Sequence, residues 1–307
     1  MKRAVNCGLV KADNMRQAIL LLSFGTPRQP SDLLPYLTSI RRGKIPTERE
    51  LKVLTARYDA IGQWDNKLLQ TMGEDQKKTL KSLLAIDAMY LAYLHMPNSM
   101  EQAIESIATA GYTSILCIVT SPFYSMVGTG AYERKLHSIL RAYPDISCEI
   151  IKSWWNRPQF FEYWRSQLMA ANPLQADTAC IFSAHSVPTS TVGSYEDEVM
   201  SASTQIAKMV GLNHWYQAWQ SAAPYGEWLG PTIESVIEQA LIDGAKRIVC
   251  IPFGFVSDHV EILYDNDIIC RNIVENAGAT YERLPMPNGN TLFMEAMAKA
   301  IRERINK

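Results

Sequence analysis

The chain has 307 residues, of which 47% are hydrophobic and 20% charged, and its formal net charge is −1. This length predicts two ordinary domains, because single cores rarely exceed ~250–300 residues. The near-zero net charge argues against a protein drawn to nucleic acid or anionic lipid by its overall field, and no apolar run reaches the ~18–20 residues of an integral membrane segment.

Residues 1–17 contain four basic side chains but no continuous apolar core, which a secretory signal peptide requires. We interpret them as an extension ahead of the first strand and expect a cytoplasmic protein. The six cysteines are scattered, without a CxxC pair. This distribution favours buried, reduced thiols.

Apolar strand-like runs alternate with amphipathic helical patterns along the first half of the chain. A turn at Phe24 and Gly25 follows the first strand, and Thr47 with Glu50 predicts a capping box at the start of a helix. The polar, proline-bearing segment 171–176 is the predicted domain boundary. The predicted strands are 18–23, 89–94, 114–119 and 147–151, and the predicted helices are 31–42, 47–58, 66–84, 99–110, 131–140 and 157–171.

The second half repeats this rhythm. Its predicted strands are 179–183, 215–219, 247–251 and 280–283, and its predicted helices are 195–210, 232–243, 258–276 and 291–305. Alternation of strand and helix predicts parallel sheets covered by helices on both faces. We therefore predict the α/β class, with two doubly wound, Rossmann-like parallel-sheet domains. No G-x-G-x-x-G follows the first strand, so a nucleotide cofactor is not indicated.

Two segments place chemically active side chains after buried strands. His185 follows the run 179–183, and Glu261 follows the run 247–251. In open α/β sheets ligands bind at the carboxyl ends of strands, so both side chains can line one crevice. Imidazole and carboxylate can each ligate a divalent metal and accept a proton near neutral pH.

Each of these residues also has a structural interpretation. A lone histidine after a strand is more often a hydrogen-bonded structural residue. Asp258-x-x-Glu261 is an acidic version of a capping box, in which Glu261 would only satisfy a helix start. His259, between them, is interpreted as a supporting or structural residue.

The segments Ser183-Ala-His-Ser-Val-Pro188 and Phe253-Gly-Phe-Val-Ser-Asp-His-Val-Glu-Ile-Leu-Tyr-Asp265 resemble the two signature segments of ferrochelatases. The likeness is greatest to the soluble bacterial type that metallates coproporphyrin, and it runs from about Ala18 to the C-terminus. It implies that the protein inserts Fe²⁺ into a porphyrin in haem biosynthesis, and it favours coproporphyrin III as that porphyrin. His185 and Glu261 are then the catalytic pair and the metal ligands.

The resemblance also implies how the domains are divided. A cleft for the porphyrin lies between the two domains, and the last helix packs back on the first. We therefore expect residues 1–175 with 287–307 to form one domain, and residues 176–286 to form a second domain that carries the catalytic pair. No cysteine follows Cys270, so an iron–sulfur cluster is not expected, and no cofactor is expected beyond the substrate Fe²⁺.

Further porphyrin contacts are implied at Arg41, Arg57, Tyr58 and Tyr132, although the match at Tyr132 needs an inserted residue. Arginine suits a propionate because its planar fork can bind a carboxylate with two hydrogen bonds. The alternative for the arginines is that they are solvated side chains near the negative ends of helices.

Three positions depart from the family pattern. Phe24 stands where the coproporphyrin-type enzymes usually have a tyrosine facing the metal, and phenylalanine cannot ligate iron. Asp65 stands where a serine would contact a propionate, and two carboxylates repel each other unless one is protonated or an arginine intervenes. Ile269 falls where relatives can have an acidic residue in an outer metal site, so a second metal site is not expected.

Two other functions remain open at this point: a cobalt chelatase of similar fold and a catalytically impaired haem- or porphyrin-binding paralogue. A periplasmic-type metal-binding protein would fit the two-lobed pattern, but the lack of a recognisable signal peptide argues against it. The expected partners are porphyrin and ferrous iron, without nucleic acid, and a monomer is expected.

Overall fold

The computed structural model describes residues 16–65, 67–223 and 225–306, with the backbone alone at Lys67 and Leu68. The expectations for residues 1–15, which include Cys7, and for Asn66 fall outside the described residues. Among the residues described, no helix is both long enough and apolar enough to cross a membrane. The five cysteines in the described ranges are free thiols.

Eight strands form two four-stranded sheets in which every pair is parallel. The first sheet has the order β2-β1-β3-β4 and the second the order β6-β5-β7-β8. This confirms the predicted pair of doubly wound α/β domains. The strands are β1 (Gln17–Ser23), β2 (Met89–Tyr93), β3 (Ser114–Val119), β4 (Ser147–Ile151), β5 (Thr178–His185), β6 (Trp215–Gln220), β7 (Arg247–Ile251) and β8 (Thr280–Arg283).

Helices cover both faces of the sheets. They are α1 (Leu33–Ile40), α2 (Glu48–Ala60), α3 (Lys67–Leu84), α4 (Ser99–Thr109), α5 (Thr129–Leu140), α6 (Pro158–Ala170), α7 (Tyr195–Val210), α8 (Ile233–Ile242), α9 (Arg271–Asn276) and α10 (Thr291–Ile305). Short 3₁₀ turns lie at Pro30–Asp32, Gln63–Asp65 and Thr189–Thr191. Because helices bury the central strands on both faces, β1, β3, β5 and β7 are near-continuous apolar runs.

Two elements differ from their predicted form. β5 continues two residues past Ser183, so His185 is its last residue. The helix predicted over 258–276 is a π-helix from Glu261 to Cys270, which continues as α9. Side-chain periodicity did not reveal the π form, because the apolar pattern of a short segment does not distinguish i→i+5 from i→i+4 hydrogen bonding.

The last helix lies against helices of the first half of the chain. The ring of Phe293 in α10 packs on Trp154 and Trp164 at centroid distances of 5.5 and 6.4 Å. Arg302 Nη2 donates a hydrogen bond to the Leu83 carbonyl in α3 at 2.7 Å. The proposed domain division, residues 1–175 with 287–307 and residues 176–286, stays a prediction.

The capping box that the sequence predicts is present at α2. Thr47 Oγ1 accepts from Glu50 N at 3.3 Å, and Glu50 Oε2 accepts from Thr47 N at 2.7 Å. Thr47→Ala removes this N-cap, so we expect the free energy of unfolding to fall by about 1 kcal/mol in urea denaturation. Thr55→Ala, inside the same helix, is the control and is expected to be neutral or stabilising, because alanine has the higher helix propensity. Equal effects of the two changes would contradict the assignment.

Candidate active site

His185 stands at the carboxyl end of β5, in the middle of the second sheet. Its backbone carbonyl accepts a hydrogen bond from the Tyr195 hydroxyl at 2.9 Å, and its ring Nδ1 donates to the Ser186 carbonyl. These contacts fix the ring so that Nε2 lies 3.5 Å from Glu261 Oε1. The side chains of His185 and Glu261 are 41% and 26% exposed, so the pair is open to a ligand.

The Glu261 carboxylate lies between two imidazoles. Its second oxygen, Oε2, is 3.5 Å from His259 Nε2, and His259 Nδ1 donates to the Ser257 carbonyl at 2.9 Å. The π-helix has no side-chain cap, and the Asp258 N–H donates to Asn288 Oδ1 instead. The capping-box interpretation of Glu261 is therefore wrong, and His259 contacts the Glu261 carboxylate directly.

The electrostatics of the pair favour an imidazolium beside a carboxylate. Burial lowers the pKa of His185, but the adjacent Glu261 charge and hydrogen bonds outweigh burial and raise it to about 9. Burial raises the pKa of Glu261, and the two neighbouring histidines outweigh it and hold the pKa well below its usual range. A divalent cation approaching this carboxylate would therefore displace a proton from His185.

An aromatic wall from the first half of the chain faces this pair. Tyr36 and Tyr58 pack in one buried cluster, and Val260, next to Glu261, packs against it. Burial and, to a smaller extent, the Glu261 charge raise the pKa of Tyr58 to about 12, although hydrogen bonds with Tyr36 and Thr26 lower it. Phe24 is 45% exposed at the end of β1, and its ring lies 6.3 Å from that of Tyr36.

His95 is a site residue that the sequence analysis missed. Its ring centroid is 4.4 Å from that of Phe24, and its Nδ1 lies 2.9 Å from Ser39 Oγ. Burial lowers the pKa of His95 to about 4, so the imidazole is neutral. Its position just after β2 was the available signal, because His185 is likewise placed at the carboxyl end of a strand, β5.

Both arginines that were predicted to bind porphyrin propionates form ion pairs with carboxylates of the protein. Arg41 forms an ion pair with Glu50. Arg57 Nη1 lies 3.4 Å from Asp265 Oδ1 in the π-helix, and its guanidinium lies over the Tyr264 ring at 5.0 Å. A propionate would have to exchange with these partners, so the contacts at Arg41 and Arg57 stay predictions.

The remaining predicted porphyrin contacts differ in exposure. Tyr58 is 1% and Tyr132 is 4% exposed, and Tyr132 packs in the apolar cluster of the first sheet. Asp65 is exposed at the end of a 3₁₀ turn. In this conformation little of either tyrosine is open to a ligand, and all three contacts stay predictions.

A polar cavity of about 290 Å³ borders the π-helix at Asp265, and its lining also includes Arg57, Ser221 and Glu234. Ser221 Oγ donates to Asp265 Oδ2 at 3.1 Å. Burial raises the pKa of Asp265 to about 6, although Arg57 lowers it. Across the described ranges, no group of three or more His, Cys, Asp or Glu side chains is arranged to hold a metal ion.

Asp265→Asn is expected to change how stability depends on pH. The side chain is 12% exposed, and its carboxyl binds its proton more tightly in the folded than in the unfolded chain, where the pKa is about 3.9. Its contribution to stability therefore decreases as the pH rises from about 4 to about 6. Near neutral pH the free energy of unfolding of the variant is expected to be about 1–2 kcal/mol higher than that of the wild type. Near pH 4 the two free energies of unfolding are expected to be equal.

Urea denaturation across this pH range measures the difference. Asp87→Asn is the matched control, because Asp87 is fully exposed and its ion pair with Lys81 is long, at 3.5 Å. A wild type and an Asp265→Asn variant with parallel pH profiles would contradict the raised pKa of Asp265.

Comparison with known proteins identifies the family. The sequence model of the ferrochelatase family matches residues 16–305. The chain is 33% identical over 302 residues to coproporphyrin III ferrochelatase of Geobacillus kaustophilus, covering 93% of this chain and 95% of the relative. It is 31% identical to the protein of that name from Staphylococcus aureus, covering 94% and 98%.

Solved structures show the same fold at low identity. The sirohydrochlorin chelatase SirB of Bacillus subtilis subspecies spizizenii, in complex with cobalt, has a TM-score of 0.60 at 9% identity, covering 94% of this chain and 95% of SirB. CbiX, described as the terminal enzyme of sirohaem biosynthesis in denitrifying bacteria, has a TM-score of 0.55 at 13% identity, covering 93% and 98%. With its two parallel sheets and a family match over almost its whole length, the chain belongs to the ferrochelatase family.

Proposed function

We propose that this chain is a lyase that inserts Fe²⁺ into a porphyrin, with coproporphyrin III as its substrate, in haem biosynthesis. The observation that carries the proposal is the His185–Glu261 pair, with Nε2 and Oε1 3.5 Å apart and both side chains partly exposed. The relatives named coproporphyrin III ferrochelatase support the choice of porphyrin.

Metal insertion has two chemical demands, and the pair suits both. The ion must exchange its water for other ligands, and the carboxylate and imidazole are suitable donors for a divalent first-row metal. Two pyrrole N–H protons must also leave as the metal–nitrogen bonds form. The imidazole, once its own proton has left to solvent, can accept a pyrrole proton. The carboxylate can then accept the other, because loss of the His185 charge removes the largest cause of its low pKa, and each group passes its proton to solvent.

The resting protonation state gives an order to these steps. The pKa of His185 is raised to about 9, so its imidazole carries a proton at neutral pH before metal arrives. The charge of the approaching cation opposes that proton and releases it. The neutral ring is then free to ligate the ion or to take a pyrrole proton.

The porphyrin is proposed to lie in the cleft between residues 1–175 with 287–307 and residues 176–286, against Phe24 and the tyrosine wall. Arg41 and Arg57 would exchange their carboxylate partners for propionates, with Tyr58, Asp65 and Tyr132 along the rim. The proposal includes a cytoplasmic monomer with no cofactor beyond the substrate metal and without an iron–sulfur cluster.

A porphyrin- or haem-binding protein without catalysis is the second candidate. It is favoured by Phe24, which offers no metal donor where it is exposed, and by the pairing of both predicted propionate arginines within the protein. It predicts tight porphyrin binding without acceleration of metal insertion.

Anaerobic metallation assays distinguish these functions. Coproporphyrin III and protoporphyrin IX are each mixed with Fe²⁺ and the protein, and sirohydrochlorin with Co²⁺, and absorbance follows the product. We expect the fastest insertion with coproporphyrin III. Binding of porphyrin with no rate above the protein-free reaction would favour the second candidate, and a preference for sirohydrochlorin with Co²⁺ would favour a cobalt chelatase.

A further inference from the structure

The segment that carries Glu261 has an unusual backbone. Glu261 begins a ten-residue π-helix, Glu261–Cys270, and the next residue, Arg271, donates its N–H to the carbonyl of Asn266, five residues back. π-helical hydrogen bonding is rare and usually limited to a single turn inside an α-helix. So long a run requires stabilising contacts from outside the helix.

The guanidinium of Arg283 binds carboxylates on both sides of Glu261 in the sequence. Arg283, the last residue of β8, donates from Nε and Nη2 to the two carboxylate oxygens of Asp267 at 2.7 and 2.8 Å. The same Nη2 forms an ion pair with Asp258 Oδ1 at 3.2 Å. Asp258 precedes Glu261 by three residues, and Asp267 follows it by six. The side chain of Arg283 is only 13% exposed, so solvent does not compete freely for these contacts.

Asn288 completes the attachment on the near side of Glu261. Asn288 Nδ2 donates to Asp258 Oδ2 at 2.8 Å, and Asn288 Oδ1 accepts from Asp258 N at 2.9 Å. The Asn288 carbonyl accepts from Gln76 Nε2 of α3 at 3.1 Å, and Gln76 is 2% exposed. The loop before Glu261 is thus tied to β8 and also to a helix of the first half of the chain.

The second sheet connects this attachment to His185. Arg283 is paired in register with Cys250 of β7, and β7 is paired with β5, which ends at His185. The second sheet therefore positions both residues of the pair. His185 is itself part of the sheet, and Glu261 is attached to it through Arg283.

We propose that Arg283 is a positioning residue for metal insertion, which sets the distance between Glu261 and His185 by holding Asp258 and Asp267 to the end of β8. The inference rests on the proposed chelatase function. Displacements of about 1 Å at a reacting group can cost about 10²-fold in rate. In the described part of the chain the hydrogen bonds and ion pairs of Arg283 go to Asp258, Asp267 and the Leu284 carbonyl, which are not among the proposed porphyrin contacts. Its loss should therefore affect turnover and leave porphyrin binding unchanged.

The test compares Arg283→Lys with Arg271→Lys. Lysine keeps the charge at position 283 but cannot form the two parallel hydrogen bonds to Asp267. Arg271 contacts Asp267 only through its backbone carbonyl, at 3.1 Å, and is 42% exposed. In Arg283→Lys we expect kcat for iron insertion to fall about tenfold or more, with KM and Kd for the porphyrin within about twofold. Arg271→Lys is expected to match the wild type.

Asp267→Asn tests the same contact from the other side. It is expected to give the same loss of kcat, and the double variant with Arg283→Lys no further loss, because both changes remove one interaction. Amide hydrogen exchange over residues 261–270 is a readout that needs no activity, and it is expected to be faster in both variants and unchanged in Arg271→Lys.

The outcomes separate this inference from the proposed function. Unchanged kcat and exchange in both Arg283→Lys and Asp267→Asn overturn the positioning role, as does a drop in Tm with a normal kcat and KM in the folded enzyme. If the wild type is inactive but Arg283→Lys still speeds amide hydrogen exchange over residues 261–270, the chelatase proposal is overturned. The conclusion that Arg283 holds this segment is then retained. If Arg283→Lys does not fold, Asp267→Asn decides by the same criteria.

Discussion

Replacing Glu261 by glutamine is expected to lower kcat for metal insertion by about 10²–10³-fold, because the amide neither accepts a pyrrole proton nor binds the metal as a carboxylate does. The substitution preserves the size of the side chain, so the porphyrin Kd is expected to stay within about twofold. Glu275→Gln is the matched control, because Glu275 lies on α9 and is 54% exposed. Anaerobic initial rates with each variant measure the effect.

The same substitution has a second expected result, on the pKa of His185. The Glu261 charge raises this pKa against the effect of burial. Without the charge, burial is opposed only by the smaller effects of the Ser186 hydrogen bond and the Asp265 charge, so the pKa of His185 is expected to fall well below its wild-type value. A folded-state pKa raised to about 9 stabilises the fold below about pH 6.5, and this contribution is lost as the pH rises through about 9.

NMR titration of the ring and thermal unfolding at several pH values follow these two effects. In Glu261→Gln the ring is expected to titrate at lower pH, and the decline in stability on the alkaline side is expected to disappear. A His185 ring that titrates at the same pH in both proteins would show that Glu261 does not set its charge.

Replacing His185 by alanine is expected to lower kcat by about 10²–10⁴-fold, because the imidazole is one of the two groups that can take a pyrrole proton. Porphyrin binding is expected to persist, since the substitution leaves the proposed porphyrin contacts at Phe24, Arg41 and Arg57 in place. His137→Ala is the matched control, because this histidine is exposed on α5.

Stopped-flow metallation and porphyrin fluorescence quenching measure the rate and the affinity separately. If His185→Ala retains the wild-type rate while Glu261→Gln loses it, the carboxylate alone serves the reaction. The neutral imidazole of His95, beside Phe24, would then be the next group to test.

The sequence by itself determined the fold class and most of the elements. Strands buried on both faces must be apolar along their length, so β1, β3, β5 and β7 were predictable from their apolar runs in the sequence. The capping box of Thr47 and Glu50 was predictable for a similar reason, because it joins residues three apart and needs no distant partner. The two long motifs around His185 and Glu261 indicated the family, and the match over residues 16–305 confirms it.

The tertiary structure decided the partners of the charged residues. The pairing of Arg57 with Asp265 and the attachment of Asp258 and Asp267 to Arg283 join residues that are far apart in sequence. Which carboxylate an arginine contacts depends on how helices and sheets pack, and the periodicity of side chains in the sequence does not predict that packing. The π-helix at Glu261 also required the structure, because its change of hydrogen-bond register leaves the apolar pattern of the segment almost unaltered.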